Sequence, residues 1–196
     1  MNTPQGFSVL RSERLPLIPE AERTEAQRSA ANAIINSPRK AIVGPYIPLL
    51  HTPVLMERLG ALGAALRFES KLAEEIRELV MATTARAVDN QLEWQVHAPL
   101  AIKAGVAPSV LDAIAARKTP RDMPENQTIA YDLAMEILNT NGVSDATFDA
   151  ARTCFGADGV VELTVIVGFF TTVSWVMNVA RTPGPGAFPA LAATPA

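Results

Sequence analysis

The chain has few of the residues on which redox and metal chemistry usually depend, with one cysteine and two histidines among 196 residues. Cys154 alone cannot form an internal disulfide, a two-cysteine redox couple or a cysteine-rich zinc site. His51 and His97 are far apart in sequence and do not supply the three or more ligands that a metal site needs. We therefore expect no metal and no cofactor, and a cytoplasmic protein whose chemistry uses residues other than cysteine.

An excess of one charge and several short binding motifs are also missing. Seventeen Lys and Arg residues against 20 Asp and Glu give a net charge of -3. No basic block is present that would neutralise several phosphates, so nucleic acid is not an expected partner. The sequence contains no glycine-rich phosphate loop, no serine nucleophile elbow and no dinucleotide fingerprint. Its amino end lacks the positive start and apolar stretch of a secretory signal, so we expect no targeting segment.

What the sequence does contain is helical periodicity. With 48% hydrophobic and 19% charged residues, it fits one compact domain, and no run alternates between polar and apolar residues as a strand would. Apolar spacing, caps and breakers predict helices over residues 20–37, 53–68, 71–88, 90–103, 108–117, 125–139, 145–155 and 159–181. The predicted fold class is all-α, a multi-helix bundle.

Proline and glycine mark off both ends of this bundle. Residues 1–20 carry three prolines without sustained periodicity, and residues 182–196 are rich in proline and glycine. We predict an N-terminal arm over residues 1–20, a single domain over residues 21–181 and a flexible C-terminal tail over residues 182–196.

A proline-rich segment interrupts the helices between residues 38 and 53, where four prolines push the residues before them toward extended geometry. We predict a long, stiff, apolar loop, and loops of this length inside compact domains tend to be functional. Tyr46 in this segment is a candidate pocket wall and substrate-binding residue. His51 either reaches the same site or caps the helix that begins at Pro53.

The last predicted helix, over residues 159–181, has almost no polar face and is long enough in principle to cross a bilayer. Glu162 and a scatter of Thr, Ser and Asn argue against a membrane span, and no basic flank precedes the helix. A helix that is apolar all round and lies outside a membrane is buried by protein. We expect no membrane association and predict a buried helix that another subunit covers in part.

One polar constellation surrounds His97. Glu93 lies four residues before His97, and Asn90 lies three before Glu93, so on a helix the three side chains share one face. A carboxylate beside an imidazole favours its protonated form and fixes its orientation, which gives a proton donor and acceptor near neutral pH. The same spacing also fits a capping box, in which Glu93 reaches back to the backbone of Asn90 and His97 has no catalytic duty.

Residues 77–114 resemble the carboxymuconolactone decarboxylase-like family, whose superfamily includes the alkylhydroperoxidase D-like proteins, and residues 44–180 do so more loosely. In the shared pattern, a glutamate is followed after eleven residues by the first member of a polar pair, and two residues separate the members of that pair. Three further residues precede a histidine, and a glycine follows later. The matching positions are Glu78, Asn90, Glu93, His97 and Gly105. In the peroxidase branch the pair is two cysteines, whose disulfide the activity requires. Asn90 and Glu93 cannot form that disulfide, so we do not expect thiol peroxidase activity.

The resemblance implies an alkylhydroperoxidase D-like fold of the carboxymuconolactone decarboxylase type, assembled into a homo-oligomer. It also implies a lyase of the decarboxylase branch, in which an acid and a histidine handle protons on a small lactone acid. By this analogy His97 is the candidate general acid or base, and Glu93 tunes it. Glu78 orients the histidine from a neighbouring helix, or is instead an ordinary exposed helix charge.

The remaining candidates for substrate binding are Asn90, Arg86 and Trp94. Arg86, eight residues after Glu78, offers a fork of donors to an anionic substrate or forms a surface or interhelical ion pair. Trp94 covers the pocket or packs as a core side chain. Two other functions stay open, a redox relative that works with a partner thiol and a noncatalytic oligomeric binding module.

Overall fold

The structure is a computed structural model that describes residues 12–186 and 188–192. Its α-helices are α1 (Glu25–Asn36), α2 (Tyr46–Leu49), α3 (Pro53–Ala64), α4 (Glu74–Ala87), α5 (Gln91–Ala104), α6 (Pro108–Ala115), α7 (Glu125–Thr140) and α8 (Asp145–Ala180). A short 3-10 turn, Glu20–Glu22, precedes α1, and a π-helical turn, Ala65–Glu69, continues α3. No residue in the described part of the chain forms a β-strand, so the predicted all-α class is confirmed.

The helix ends fall where capping residues and breakers stand in the sequence. Thr24 begins α1 with a complete capping box, in which its hydroxyl accepts the N–H of Gln27 and the Gln27 amide oxygen accepts the N–H of Thr24. This cap explains why the helix begins later than predicted. Pro53 occupies the first turn of α3, where its missing N–H breaks no hydrogen bond. Gly105 ends α5 in the left-handed conformation, with φ of 117°.

The proline-rich segment is not a loop throughout. Helix α2 forms a single turn inside it, with Pro45 at the N-cap and Pro48 within the turn. Proline holds φ near the helical value, and Pro45 has φ of -62° and ψ of -21°, so these prolines favour a short helix. The prediction of a loop is wrong for these residues. The turn buries Tyr46, which is 6% exposed.

Helix α4 lies at the centre of the fold and packs against α5, α7 and α8. Leu79 and Val80 on this helix are fully buried. Helices α1 and α3 pack together, and Gly63 of α3 lies so close to Phe169 that an added Cβ would stand 2.7 Å from the ring. Because α4 is enclosed on several sides, Glu78 is inside the protein and is not the exposed helix charge that the sequence left open.

Helix α8 bends at Gly156, where φ of 74° and ψ of 174° interrupt the helical geometry. The break falls between the two predicted helices over residues 145–155 and 159–181. This region of φ and ψ is open essentially to glycine alone, since any side chain there adds strain. The glycine therefore sets the direction of the apolar half of α8.

One face of this apolar half is buried and the other is exposed. Leu163 and Met177 have no exposed surface, whereas Val161 is 64% exposed and Trp175 is 59% exposed. Among the described residues α8 is the one helix long and apolar enough to cross a membrane, and 44% of its apolar window is buried inside the protein. Core helices of globular proteins have the same composition, so these features are weak evidence for a span. That a second subunit covers the outer face stays a prediction.

The C-terminal tail lies along α5 where the structure describes it. Gln91 donates to the carbonyl of Leu191 at 3.0 Å and accepts its N–H at 2.8 Å. Gln95, about one turn further along α5, accepts the N–H of Gly186 and donates to the carbonyl of Phe188, each at 3.0 Å. The sequence predicts a flexible tail. Its described part is hydrogen-bonded to the bundle, because these side-chain amides supply partners that its own irregular backbone lacks, and its flexibility stays a prediction.

The N-terminal arm meets the end of α8. The backbone N–H of Arg14 donates to the carbonyl of Ala180 at 2.8 Å. Residues 1–11 of the predicted arm, and residues 187 and 193–196 of the predicted tail, lie outside the described residues. The predicted division into arm, domain and tail stays a prediction.

Replacing Gly156 with alanine should destabilise the protein, because the side chain would be forced into the glycine-only conformation. We expect Gly156→Ala to lower the free energy of unfolding by about 1–3 kcal/mol in urea denaturation. Gly142→Ala is the matched control, since an added Cβ there meets nothing within 4 Å. It should change stability by no more than about 0.5 kcal/mol. Equal stability of the two variants would contradict this account of the bend.

Candidate active site

Three buried side chains from α4 and α5 form a continuous chain of hydrogen bonds. Nδ1 of His97 lies 2.6 Å from Oε2 of Glu78, and Nε2 of His97 lies 3.0 Å from Oε2 of Glu93. His97 is 2% exposed, Glu78 5% and Glu93 4%. Each ring nitrogen faces a carboxylate oxygen, so the arrangement favours an imidazolium that donates two charge-assisted hydrogen bonds. We call Glu78, His97 and Glu93 the carboxylate–histidine relay.

The charge state of His97 follows from its two neighbours. Burial alone would lower the pKa of His97, because it disfavours the charged ring. The hydrogen bonds and negative charges of Glu78 and Glu93 outweigh burial and raise this pKa to about 9. At neutral pH the relay therefore holds a proton on His97, between the side chains of Glu78 and Glu93.

Asn90 sets the start of α5 and with it the direction of the Glu93 side chain. The Asn90 side-chain oxygen accepts the N–H of Glu93 at 2.8 Å, while the N–H of Asn90 itself donates to Ala85 at 2.9 Å. Only half of the predicted capping box forms, because the Glu93 carboxylate binds His97 instead. The Asn90 amide also donates to the Ser174 carbonyl at 3.1 Å and to Asn178 at 3.0 Å, which ties α5 to α8.

A cavity of about 680 Å³ opens beside the relay. Glu93 and His97 form part of its wall, whereas Glu78 does not. Phe170 lines the same cavity, and its ring meets the His97 ring edge-on at a centroid distance of 4.9 Å. Pro183 of the C-terminal tail contributes to the wall. Cavities of this size hold drug-sized ligands.

Two arginines on the wall were not expected from the sequence. The Arg39 guanidinium lies 5.1 Å from the centre of the Tyr46 ring and 5.8 Å from that of Phe68, and the Arg67 guanidinium lies 5.4 Å from the Phe68 ring. Burial lowers the pKa of Arg39 and raises the pKa of Tyr46. At neutral pH the wall therefore presents arginine cations and a neutral phenol.

Tyr46 is the predicted substrate-binding residue that lies on this wall. Trp94 packs against Phe188 at a centroid distance of 6.3 Å, and its ring N–H donates to the carbonyl of Pro189 at 3.2 Å. Of the two interpretations of Trp94, the structure therefore supports packing as a core side chain. His51 is exposed and lies outside the cavity wall.

Arg86 lies away from the relay. It lines a different cavity of about 620 Å³, together with residues of α7 and α8. Its Nε donates to the carbonyl of Ala115 at 2.9 Å, and its guanidinium pairs with Asp89, which also pairs with Arg117 at 2.7 Å. The guanidinium therefore forms a local ion pair with the turn after α4, an ion pair that does not join two helices, and Arg86 is not brought to the cavity beside the relay.

The single cysteine also does not line the cavity beside the relay. Cys154 is exposed and lines a separate cavity with Glu125 and Thr153. Partial burial and the charge of Glu125 raise the pKa of its thiol, which disfavours the reactive thiolate. Within residues 12–186 and 188–192, no group of three or more His, Cys, Asp or Glu side chains is placed to hold a metal ion.

Comparison with solved structures identifies the fold of this all-α bundle as alkylhydroperoxidase D-like. The structure is similar to the crystal structure of an alkylhydroperoxidase AhpD core, an uncharacterized peroxidase-related protein from Ralstonia eutropha JMP134. The TM-score is 0.72 at 19% sequence identity, over 90% of this chain and 94% of that chain. This similarity confirms the predicted fold, and at this identity it concerns the fold alone. Comparisons with protein-family models and with curated proteins find no match.

The relay makes folding stability depend on pH. The folded protein holds the His97 proton with a pKa of about 9, whereas an unfolded histidine has a pKa of about 6.5. The resulting stabilisation is complete below about pH 6.5 and is lost as the pH rises through about 9, by roughly 3 kcal/mol. We expect the urea-derived free energy of unfolding to fall over this range.

The matched control for this pH dependence is His97→Gln, which removes the titrating ring and keeps a side chain that can hydrogen bond. Its stability should not show the same fall between about pH 6.5 and about pH 9. A flat profile in the wild-type protein, or an equal fall in the variant, would contradict the assignment of a raised pKa to His97.

Proposed function

We propose that the protein catalyses cofactor-free proton transfer on a lactone or other carboxylated substrate, with decarboxylation as the net reaction. The observation that carries this proposal is a buried, proton-holding relay whose Glu93 and His97 form the wall of a cavity. A positioned side chain that holds a proton at neutral pH is what such reactions need. The predicted lyase class belongs to this proposal.

Within the relay we assign proton exchange with the substrate to Glu93. Both nitrogens of His97 are engaged by carboxylates, at 2.6 Å and 3.0 Å, so the ring passes its proton through Glu93. Glu78 is absent from the cavity wall and binds the far nitrogen, so it orients the ring and stabilises its charge. The sequence predicts His97 as the acid or base with Glu93 tuning it, and the geometry favours Glu93 as the group that meets substrate.

The proposed decarboxylation consumes one proton, and the proton held on His97 supplies it. The bond between the substrate carbon and its carboxylate breaks, carbon dioxide leaves, and the electron pair remains on that carbon, where an adjacent carbonyl stabilises it. The proton moves from His97 to Glu93 and then to the carbon, and a proton from water restores His97. The same pair can also remove a proton beside a carbonyl and return it, which is an isomerisation.

The two rival functions have less support. A redox relative needs a thiol near the relay, whereas Cys154 is exposed and lines a separate cavity. The protein from Ralstonia eutropha is described as peroxidase-related, but Asn90 and Glu93 stand where the peroxidase branch has its cysteines. A noncatalytic module has no need of a buried imidazolium, whose desolvation is costly. The homo-oligomer and the cytoplasmic location stay predictions.

Deuterium exchange tests the proposal on a panel of compounds, so the substrate need not be identified first. The protein is incubated in D2O with unsaturated lactone acids and β-keto acids, and NMR follows deuterium at carbon and loss of carbon dioxide. We expect Glu93→Gln and His97→Gln to slow the reaction by at least about 100-fold, because each removes the proton path. Glu57→Gln, which changes an exposed carboxylate on α3, is the matched control and should keep the wild-type rate.

The outcomes separate the three functions. Wild-type rates in Glu93→Gln and His97→Gln would contradict the roles given to the relay, and no exchange in any compound would contradict the proposal itself. Peroxide consumption with a dithiol reductant, abolished by Cys154→Ser, would favour the redox relative instead.

A further inference from the structure

The cavity beside the relay carries two arginines that have no carboxylate partner. Within the described ranges neither Arg39 nor Arg67 has an Asp or Glu oxygen within the 4.0 Å that defines an ion pair. Arg86 and Arg117, in contrast, both pair with Asp89. The cavity wall therefore holds two arginines that form no ion pair with another described residue.

The two like charges are also held close to each other. Both guanidinium groups lie beside the ring of Phe68, at 5.8 Å for Arg39 and 5.4 Å for Arg67. The absence of a side chain at Gly63 leaves room for Arg39, since a Cβ there would stand 3.1 Å from a terminal nitrogen of the guanidinium. Burial lowers the pKa of Arg39, and the charge of Arg67 lowers it further. An anion that bridges the two cations would relieve their repulsion.

The rest of the wall is suited to an apolar ligand body. Its members include Val43, Ile47, Val96, Phe169 and Val173. The volume of about 680 Å³ is far larger than a bare inorganic anion needs and lies in the range for drug-sized ligands. An anionic group attached to an apolar body fits both the charge and the shape of this cavity.

We propose that Arg39 and Arg67 bind one carboxylate of a largely apolar, ring-containing acid and hold it as an anchor while Glu93 meets the reacting carbon. The arginine fork matches a carboxylate with two parallel N–H donors. The role given to Glu93 rests on the proposed function, whereas binding of the carboxylate by the arginines does not.

Tyr46 connects the anchor to the relay. Burial raises the pKa of Tyr46. The charge of Arg39 lowers this pKa and the charge of Glu93 raises it, so both groups act electrostatically on the phenol. Arg39, Tyr46 and Glu93 line the same cavity, so a ligand anchored at Arg39 shares that cavity with the relay. The anchoring carboxylate is distinct from a carboxylate that leaves, because its ion pairs would stabilise it against loss of carbon dioxide.

Binding measurements test this inference apart from turnover. Isothermal titration calorimetry uses trans-cinnamate and its uncharged methyl ester on the full-length protein. We expect wild-type protein to bind cinnamate about tenfold or more tightly than the ester, and Arg39→Met to remove that difference. Arg67→Met should weaken cinnamate binding in the same direction. Arg58→Met, an exposed arginine on α3 outside the cavity wall, is the matched control and should bind as wild type does.

Each result has a defined consequence. Equal binding of cinnamate and its methyl ester, or wild-type cinnamate affinity in both Arg39→Met and Arg67→Met, would overturn the inference. Absence of cinnamate binding at millimolar concentration would overturn it as well. Should Arg39→Met fail to fold, the ester comparison and Arg67→Met still decide the question. Charge-dependent binding together with no proton exchange in any substrate would retain the arginine anchor and reject the proposed function.

Discussion

The structure depends on one buried cation, the His97 ring, held between two buried carboxylates. Burial of an ionised group costs several kcal/mol unless opposite charge and hydrogen bonds compensate for the lost water. Glu78 and Glu93 provide both, at 2.6 Å and 3.0 Å. Glu78 comes from α4 and the other two groups from α5, so the pairing of these helices and the charge state of the relay depend on each other. Loss of one carboxylate leaves an uncompensated buried charge.

The rest of the bundle holds this pair of helices in place. Asn90 caps α5 and bonds to α8 through Ser174 and Asn178. Gln91 and Gln95 on α5 bind the C-terminal tail, which places Pro183 on the cavity wall. The first turns of α5 therefore position the relay, link it to α8 and hold the tail at the cavity wall.

Local parts of this arrangement could be predicted from the sequence. The Glu93–His97 contact is set by a spacing of four on one helix, and Gly156 marks the bend of α8 by its lack of a side chain. Glu78 is predicted only from the resemblance to the decarboxylase-like family, because its contact with His97 crosses between helices. Arg86 was expected near the same face, but eight residues also move it about 12 Å along the helix axis.

The cavity and its arginines could not be predicted in this way. Arg39 and Arg67 come from two segments with no shared periodicity, and they meet only when α2, α5, α8 and the π-helical turn after α3 pack around one space. Local spacing carries no information about such packing. The prediction of a loop over the proline-rich segment is wrong at α2 for a related reason, since prolines that break long helices also favour the first turn of a short one.

The protonation of His97 tests the central claim most directly. Nitrogen NMR of the histidine ring in the wild-type protein distinguishes a ring with two N–H groups from a neutral ring with one. The account predicts that both ring nitrogens carry protons at neutral pH and that the ring titrates with a pKa of about 9. A ring that is neutral at pH about 7.5, with a pKa at or below the ordinary value of about 6.5, would contradict it.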